Sequence, residues 1–132
     1  MILIDSNILM YAAGAAHPHK APSARLLERV ARGEVVATIN AETLQEILHR
    51  YRAIKRWKDG RQVYDLARQL FPSVVPISAE ILDRARELLD HHPALMARDA
   101  LHAAVVMHEG LESICSYDRD FDVITTISRI EP

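Results

Sequence analysis

Apolar positions along this chain fall into short unbroken runs separated by longer stretches with helical spacing. Met1–Ile4 is continuous and apolar, which suits a fully buried strand, and Asp5-Ser6-Asn7 closes it before a short helical segment at 8–13. His17–Ser23 holds two prolines and reads as a turn into a helix reaching about Arg32, with Leu26, Leu27 and Val30 on one face and Gly33 placed to stop it. Val35–Ile39 is the next strand candidate. Leu44, Ile47, Leu48, Tyr51 and Ile54 mark a helix over 41–54. Val63, Leu66, Ala67 and Leu70 mark another over 61–71, ended by Pro72. Val74–Ile77 is a short strand, and Ser78 can cap the helix that carries Ile81, Leu82, Ala85, Leu88 and Leu89. After a loop at His91–Leu95, an Ala-rich helix runs from about Arg98 to His108 and stops at Gly110. Ser113–Cys115 is a strand, Tyr117–Asp122 an acidic loop, and Val123–Ile130 room for a last strand.

Strands that alternate with helices from end to end predict an α/β domain built on a mainly parallel sheet. No internal repeat, low-complexity segment or linker divides the chain, so residues 1–132 read as one domain. Apolar residues make up 49% and charged residues 26%, which is ordinary for a soluble globular protein. The net charge of −2 carries no basic excess, so any contact with nucleic acid must rest on local charge or on a bound cation. Cys115 is the one cysteine, which excludes an intrachain disulfide and fits a reducing, cytoplasmic setting in which it is a small core residue. The N-terminus has no basic region ahead of its apolar run and Asp5 interrupts that run early, so neither a signal peptide nor a membrane span is expected.

In parallel sheets, ligands bind outside the carboxyl ends of the strands. Asp5 follows the first strand, and Asp118, with Asp120 and Asp122 close behind, follows the strand ending at Cys115. Asp99 stands in the first turn of the Ala-rich helix, where the helix dipole also favours a carboxylate. Glu46 is a fourth candidate. The stripe Leu44, Ile47, Leu48, Tyr51 lies on another side of its helix, so periodicity alone leaves Glu46 in solvent. If such acids share a crevice they repel, by on the order of 4 kcal/mol for a pair ~4 Å apart at an effective dielectric of ~20. The crevice must then take up protons or bind a cation. All-oxygen ligands suit Mg²⁺ or Mn²⁺, which can activate water and clamp the oxygens of an in-line phosphoryl displacement.

Four stretches, MILIDSNIL, TLQEILHR, ARDALHAAVV and SYDRDFD, resemble in this order and spacing a PIN domain, and within that family the VapC-type toxins of bacterial and archaeal toxin–antitoxin pairs. The resemblance spans essentially the whole chain. It implies a three-layer α/β sandwich with a mainly parallel sheet of four or five strands and a Mg²⁺-dependent endoribonuclease activity, with Mn²⁺ as the other candidate ion. It maps the family's acids onto Asp5, Glu46, Asp99 and Asp118, with Asp5 and Asp99 as the primary metal ligands. Ser6, Asn7 and Ser116 would hydrogen-bond to those ligands from behind. It further implies an RNA substrate, a homodimer, and a cognate antitoxin whose C-terminal segment covers the crevice. Two departures are mild: no hydroxyl residue precedes Asp99 as a helix cap, the stretch being Leu95-Met96-Ala97, and Ser116 stands where threonine is common.

The segment Arg50–Arg61 holds six basic residues against Asp59, with Trp57 among them. It reads either as a solvated junction between helices or as a grip on RNA phosphates or an acidic antitoxin segment through Arg50, Arg52, Lys55 and Arg56. Glu46 with His49, and Asp99 with His102, share the i, i+3 spacing of di-iron bundles, but the strands argue against a bundle and leave His102 to pack or hydrogen-bond beside the site. A haloacid-dehalogenase-type phosphatase would need an acid where Asn7 stands. The competing readings are a PIN-like domain that binds RNA or a partner without cutting, which a missing acid would mark, and a nuclease directed at DNA, which no short motif separates from one directed at RNA.

Overall fold

A computed structural model describes residues 1–132. Five short strands alternate with six helices: β1 (Ile2–Ile4), α1 (Ser6–Ala13), α2 (Lys20–Ala31), β2 (Ala37–Asn40), α3 (Ala41–Ala53), α4 (Trp57–Leu70), β3 (Val74–Val75), α5 (Ala79–His91), α6 (Ala97–Glu109), β4 (Ile114–Cys115) and β5 (Arg129–Ile130). All strand pairs are parallel, in the order β3-β2-β1-β4-β5, so β1 lies at the centre. The strand alternation sends Ile2 and Ile4 into one core and Leu3 into the other. The Leu3 core is filled by α5 and α6; the Ile2 and Ile4 core is filled by residues of α1 to α4. Each core holds a similar number of buried residues, 14 and 13, which makes the domain a sandwich with the sheet as its middle layer.

Several elements are placed where patterning puts them, and the departures have local causes. The second strand begins at Ala37 and not at Val35, because the backbone N–H groups of Glu34 and Val35 are taken by the Arg29 carbonyl at the end of α2. α2 starts as early as Lys20, since Pro22 sits in its first turn, where a missing N–H costs nothing. α4 starts at Trp57, so the second half of the basic segment is helical, and Gly60 lies within its first turns. A β-carbon at Gly60 would collide with Tyr51, coming 2.9 Å from its Cγ, so glycine there lets α4 approach α3. Ser78 caps α5 by accepting from the Ile81 N–H at 3.3 Å, as its position suggests. Gly110 ends α6 with φ of +63°, a conformation that favours glycine. Asp118 accepts from the Asp120 N–H and opens a 3₁₀ turn over Arg119–Val123, which leaves only Arg129 and Ile130 for the last strand. No helix is long and apolar enough to cross a membrane.

Candidate active site

The carboxyl ends of β1, β2 and β4 form one edge, and the chain leaves each strand there directly into a functional segment. Asp5 is the first residue beyond β1 and the N-cap of α1, accepting from the Ser6 N–H at 2.7 Å. Its other oxygen accepts from the Ser116 hydroxyl at 2.6 Å. That hydroxyl is in turn fully used, because Asn7 Nδ2 donates to it at 3.1 Å and the Asp118 N–H at 3.0 Å. Ser116 therefore locks the exit of β4 to the exit of β1. The Oδ1 atom of Asn7 is buried and has no partner in the protein.

Glu46 corrects the periodicity reading. It is 7% exposed, because α3 turns Thr43, Glu46 and Ile47 toward the sheet edge while Leu44 and Leu48 lie at the half-buried margin. Two polar partners make that burial tolerable. His102 Nε2 lies 2.6 Å from Glu46 Oε1, and the Ser6 hydroxyl donates to Glu46 Oε2. His102, 1% exposed, also approaches Asp5 at 3.9 Å. Its Nδ1 lies 2.9 Å from the amide nitrogen of Asn40, the last residue of β2. Asn40 is the residue that pattern reading overlooks; its one visible signal is a capping residue type at the start of an apolar-periodic helix.

Asp99, in the first turn of α6, groups with Asp118 and Asp120, their oxygens within 4.8 Å of one another. Asp5, Glu46 and His102 form a second group of the same tightness. The four sequence-selected acids thus meet at one edge, with Asp5 and Asp99 in different groups. Asp122 is elsewhere: it accepts twice from Arg129, at 2.8 and 3.2 Å, while the same guanidinium donates to the Ser116 carbonyl at 2.9 Å. It steadies the loop and is not part of the acid cluster. Cys115 is buried in the core, which pushes its thiol up to about 12.

The electrostatics express this crowding. Burial raises the Asp5 carboxyl above its ordinary range, against the pull of His102 and the Ser116 hydrogen bond. Burial, then the charges of Asp118 and Asp5, push Asp99 up to about 6. Glu46 goes the other way: burial would raise it, but the hydrogen bond and charge of His102 and the Ser6 hydroxyl hold it below the usual carboxylate range. Carboxylates packed this closely, oxygen donors throughout but for the His102 nitrogen, match a divalent cation of the Mg²⁺ or Mn²⁺ type.

Beside Asn7, an open groove of about 750 Å³ runs between α1, α3 and α4, lined by Met10, Tyr11, Tyr51 and Leu66 and edged by Arg50 and Arg56. Arg56 pairs with Asp59 at 2.7 Å. Arg52 lies over the Trp57 ring at 4.8 Å, outside this groove, and Lys55 is exposed at the α3–α4 turn.

Comparison with known proteins gives a consistent picture. A family model described as "PIN domain" matches residues 2–126. The chain is 44% identical over 130 residues to "Ribonuclease VapC13" of Mycobacterium tuberculosis, covering 98% of this chain and 99% of that one. Among solved structures it is similar to Mycobacterium tuberculosis VapC20, described as a "Sarcin-Ricin loop cleaving toxin", with a TM-score of 0.76 at 18% identity over the full length of both chains. It is equally similar, at a TM-score of 0.76 and 18% identity over 99% of this chain and 98% of the other, to a chain of "VapBC2 from Rickettsia felis bound to a DNA fragment from their promoter".

Proposed function

Because this chain belongs to the PIN domain family, we propose that it is a VapC-type ribonuclease, the toxin of a toxin–antitoxin pair, and that it hydrolyses RNA phosphodiesters with a divalent metal held in the carboxylate crevice. The observation that carries the reading is the meeting of Asp5, Glu46, Asp99 and Asp118, distant in sequence, at the carboxyl edge of the sheet. The elevation of Asp99 to about 6 supports it, because repulsion of that kind is relieved by a cation. Mg²⁺ is the ion proposed, with Mn²⁺ as its substitute. Asp5 and Asp99 would hold it from the two sides of the crevice, and Glu46 and Asp118 would complete the cage.

Such an ion supplies Lewis acidity toward the phosphoryl oxygens and lowers the pKa of bound water. The protein's own contribution is placement. Ser116 and the Ser6 N–H fix the Asp5 carboxylate, and Ser6 reaches across to Glu46. Asn7 stands at the junction of the crevice and the groove, with one amide oxygen free to accept a hydrogen bond. The groove is lined mostly by apolar residues, with Arg50 and the Arg56–Asp59 pair also on it, which suits a mostly apolar antitoxin segment bearing acidic residues better than it suits bare RNA. A homodimer is proposed from the family alone.

The test is cleavage of RNA and of matched DNA by purified protein with Mg²⁺, with Mn²⁺ and with excess chelator, using Asp5→Asn as the control for contaminating nuclease. RNA cleavage that needs the metal and disappears in Asp5→Asn is the expected result. Cleavage in chelator by the wild type that is absent from Asp5→Asn would overturn the metal mechanism, and metal-dependent cleavage of DNA in preference to RNA would overturn the substrate.

A further inference from the structure

His102 is a buried imidazole at the centre of the site, and its position admits two roles. It sits with Asp5 and Glu46 as if to ligate a cation, yet it is also the middle member of a hydrogen-bonded chain. The hydrogen bonds decide between them. Asn40 is fully buried and caps α3: its Oδ1 accepts from the Thr43 N–H at 3.0 Å and from the Thr43 hydroxyl at 3.3 Å. Turning the amide over would set its NH₂ against the Thr43 N–H, so the cap fixes which end of Asn40 faces His102. That end is Nδ2, a donor only. In the neutral ring, His102 Nδ1, at 2.9 Å, accepts, and the single ring proton stands on Nε2, where it donates to Glu46 Oε1 at 2.6 Å.

We propose that Asn40 and His102 form a positioning relay that holds the Glu46 carboxylate in the crevice, and that His102 is a hydrogen-bond donor there and not a metal ligand. The inference rests on the nuclease reading for its effect on catalysis, but not for its geometry. An Nε2 that carries a proton aimed at Glu46 has no lone pair for a cation. The relay runs from the helix cap of α3, through α6, back to α3 between one and two turns on, so the two helices that supply Glu46 and Asp99 are tied together beside the carboxylates. With His102 on one oxygen and Ser6 on the other, the flexible Glu46 side chain is set before substrate arrives, the condition under which a carboxylate is most effective.

Four variants separate positioning from packing. His102→Gln keeps an N–H donor three bonds from Cβ, and His102→Leu keeps bulk without a donor. Asn40→Ser keeps a helix cap but loses the amide facing His102. Asn40→Asp keeps the cap and replaces the donor with an acceptor. In metal-free protein at mildly alkaline pH, ¹⁵N NMR of the His102 ring should show Nε2 protonated and Nδ1 bare, with a proton appearing on Nδ1 in Asn40→Asp. Pulsed EPR of the Mn²⁺-loaded protein should show no ¹⁴N coupling from a histidine. In cleavage assays His102→Leu and Asn40→Ser should lose about 10–100-fold in kcat with KM changed less than about twofold, and His102→Gln should recover most of the loss. A histidine nitrogen coupled to Mn²⁺, a bare Nε2, or equal losses in His102→Leu and His102→Gln at wild-type melting temperature would each overturn the relay. If wild-type protein cuts no RNA, the nuclease reading fails on its own, and the tautomer and the Mn²⁺ spectrum still decide the relay.

Discussion

Asp99→Asn should make the metal-free protein more stable while removing its activity, and the size of the gain follows from the crowding at the site. Asp99 goes from an ordinary value of 3.8 to about 6 on folding. A shift of that size in a fully buried group would correspond to about 3 kcal/mol. Asp99 is only half-buried, so solvent screening reduces the figure to about half. Its position in the first turn of α6 favours the charge by about 0.3–1 kcal/mol, which the substitution gives up. The net expectation is about 1 kcal/mol, or roughly 3–5 °C in melting temperature for a domain of this size. The sign depends on pH. Between 3.8 and about 6 the folded protein keeps a proton on Asp99 that the unfolded chain has released, so stability falls as pH rises through that window. The gain in the variant should therefore be full at about pH 8 and vanish by about pH 4. Saturating Mg²⁺ should stabilise the wild type and close most of the gap. Thermal denaturation of both proteins at the two pH values, with and without Mg²⁺, measures this. A variant that melts lower than wild type at alkaline pH, or by the same margin above it at both pH values, would refute the repulsion argument and leave Asp99 a helix-capping acid.

Three further expectations are independent of that one. Gly60→Ala should lower stability by about 1 kcal/mol in urea denaturation, because overpacking against Tyr51 outweighs the better helix propensity of alanine. Met96→Ser should raise stability by about 1 kcal/mol, since Met96 is 61% exposed and heads α6 without a side-chain cap, so a hydroxyl gains a bond and loses little packing. Changing Arg52, Lys55 and Arg56 together to alanine should weaken RNA binding and flatten its salt dependence, by about one released counterion for each phosphate no longer gripped, if the basic turn holds RNA; an unchanged slope with weaker antitoxin binding would assign the turn to the partner.

Much of the architecture is legible in the apolar runs because the sheet is parallel and buried on both faces, which makes strands such as Ile2–Ile4 continuous in hydrophobicity. The acids after β1 and β4 are legible for a related reason: strand ends at the carboxyl edge are where such sheets place chemistry. Glu46 is not legible from periodicity, because its burial is offset by His102 and Ser6, partners 56 and 40 residues away that no local pattern contains. Only the resemblance to PIN domains selects it. Asn40 is hidden differently, since its side chain does two things at once and the cap is the only one that sequence advertises. The early start of α4 at Trp57 escapes notice because Arg56 offers no side-chain cap and Gly60 resembles a helix breaker until Tyr51 is seen beside it.

The central place of β1 has a consequence in time. The first strand made is the one that must be flanked on both sides, by β2 at Ala37–Asn40 and by β4 at Ile114–Cys115. Pairings so distant along the chain form late and slowly. Asp5 emerges early, but Ser116, which orients it, and Asp118 follow only after more than a hundred intervening residues. A nascent chain on the ribosome, surrounded by RNA, therefore carries the first carboxylate without the arrangement that would make it act. The crevice proposed to hold the metal is complete only once β4 has docked beside β1 and brought Ser116 against Asp5.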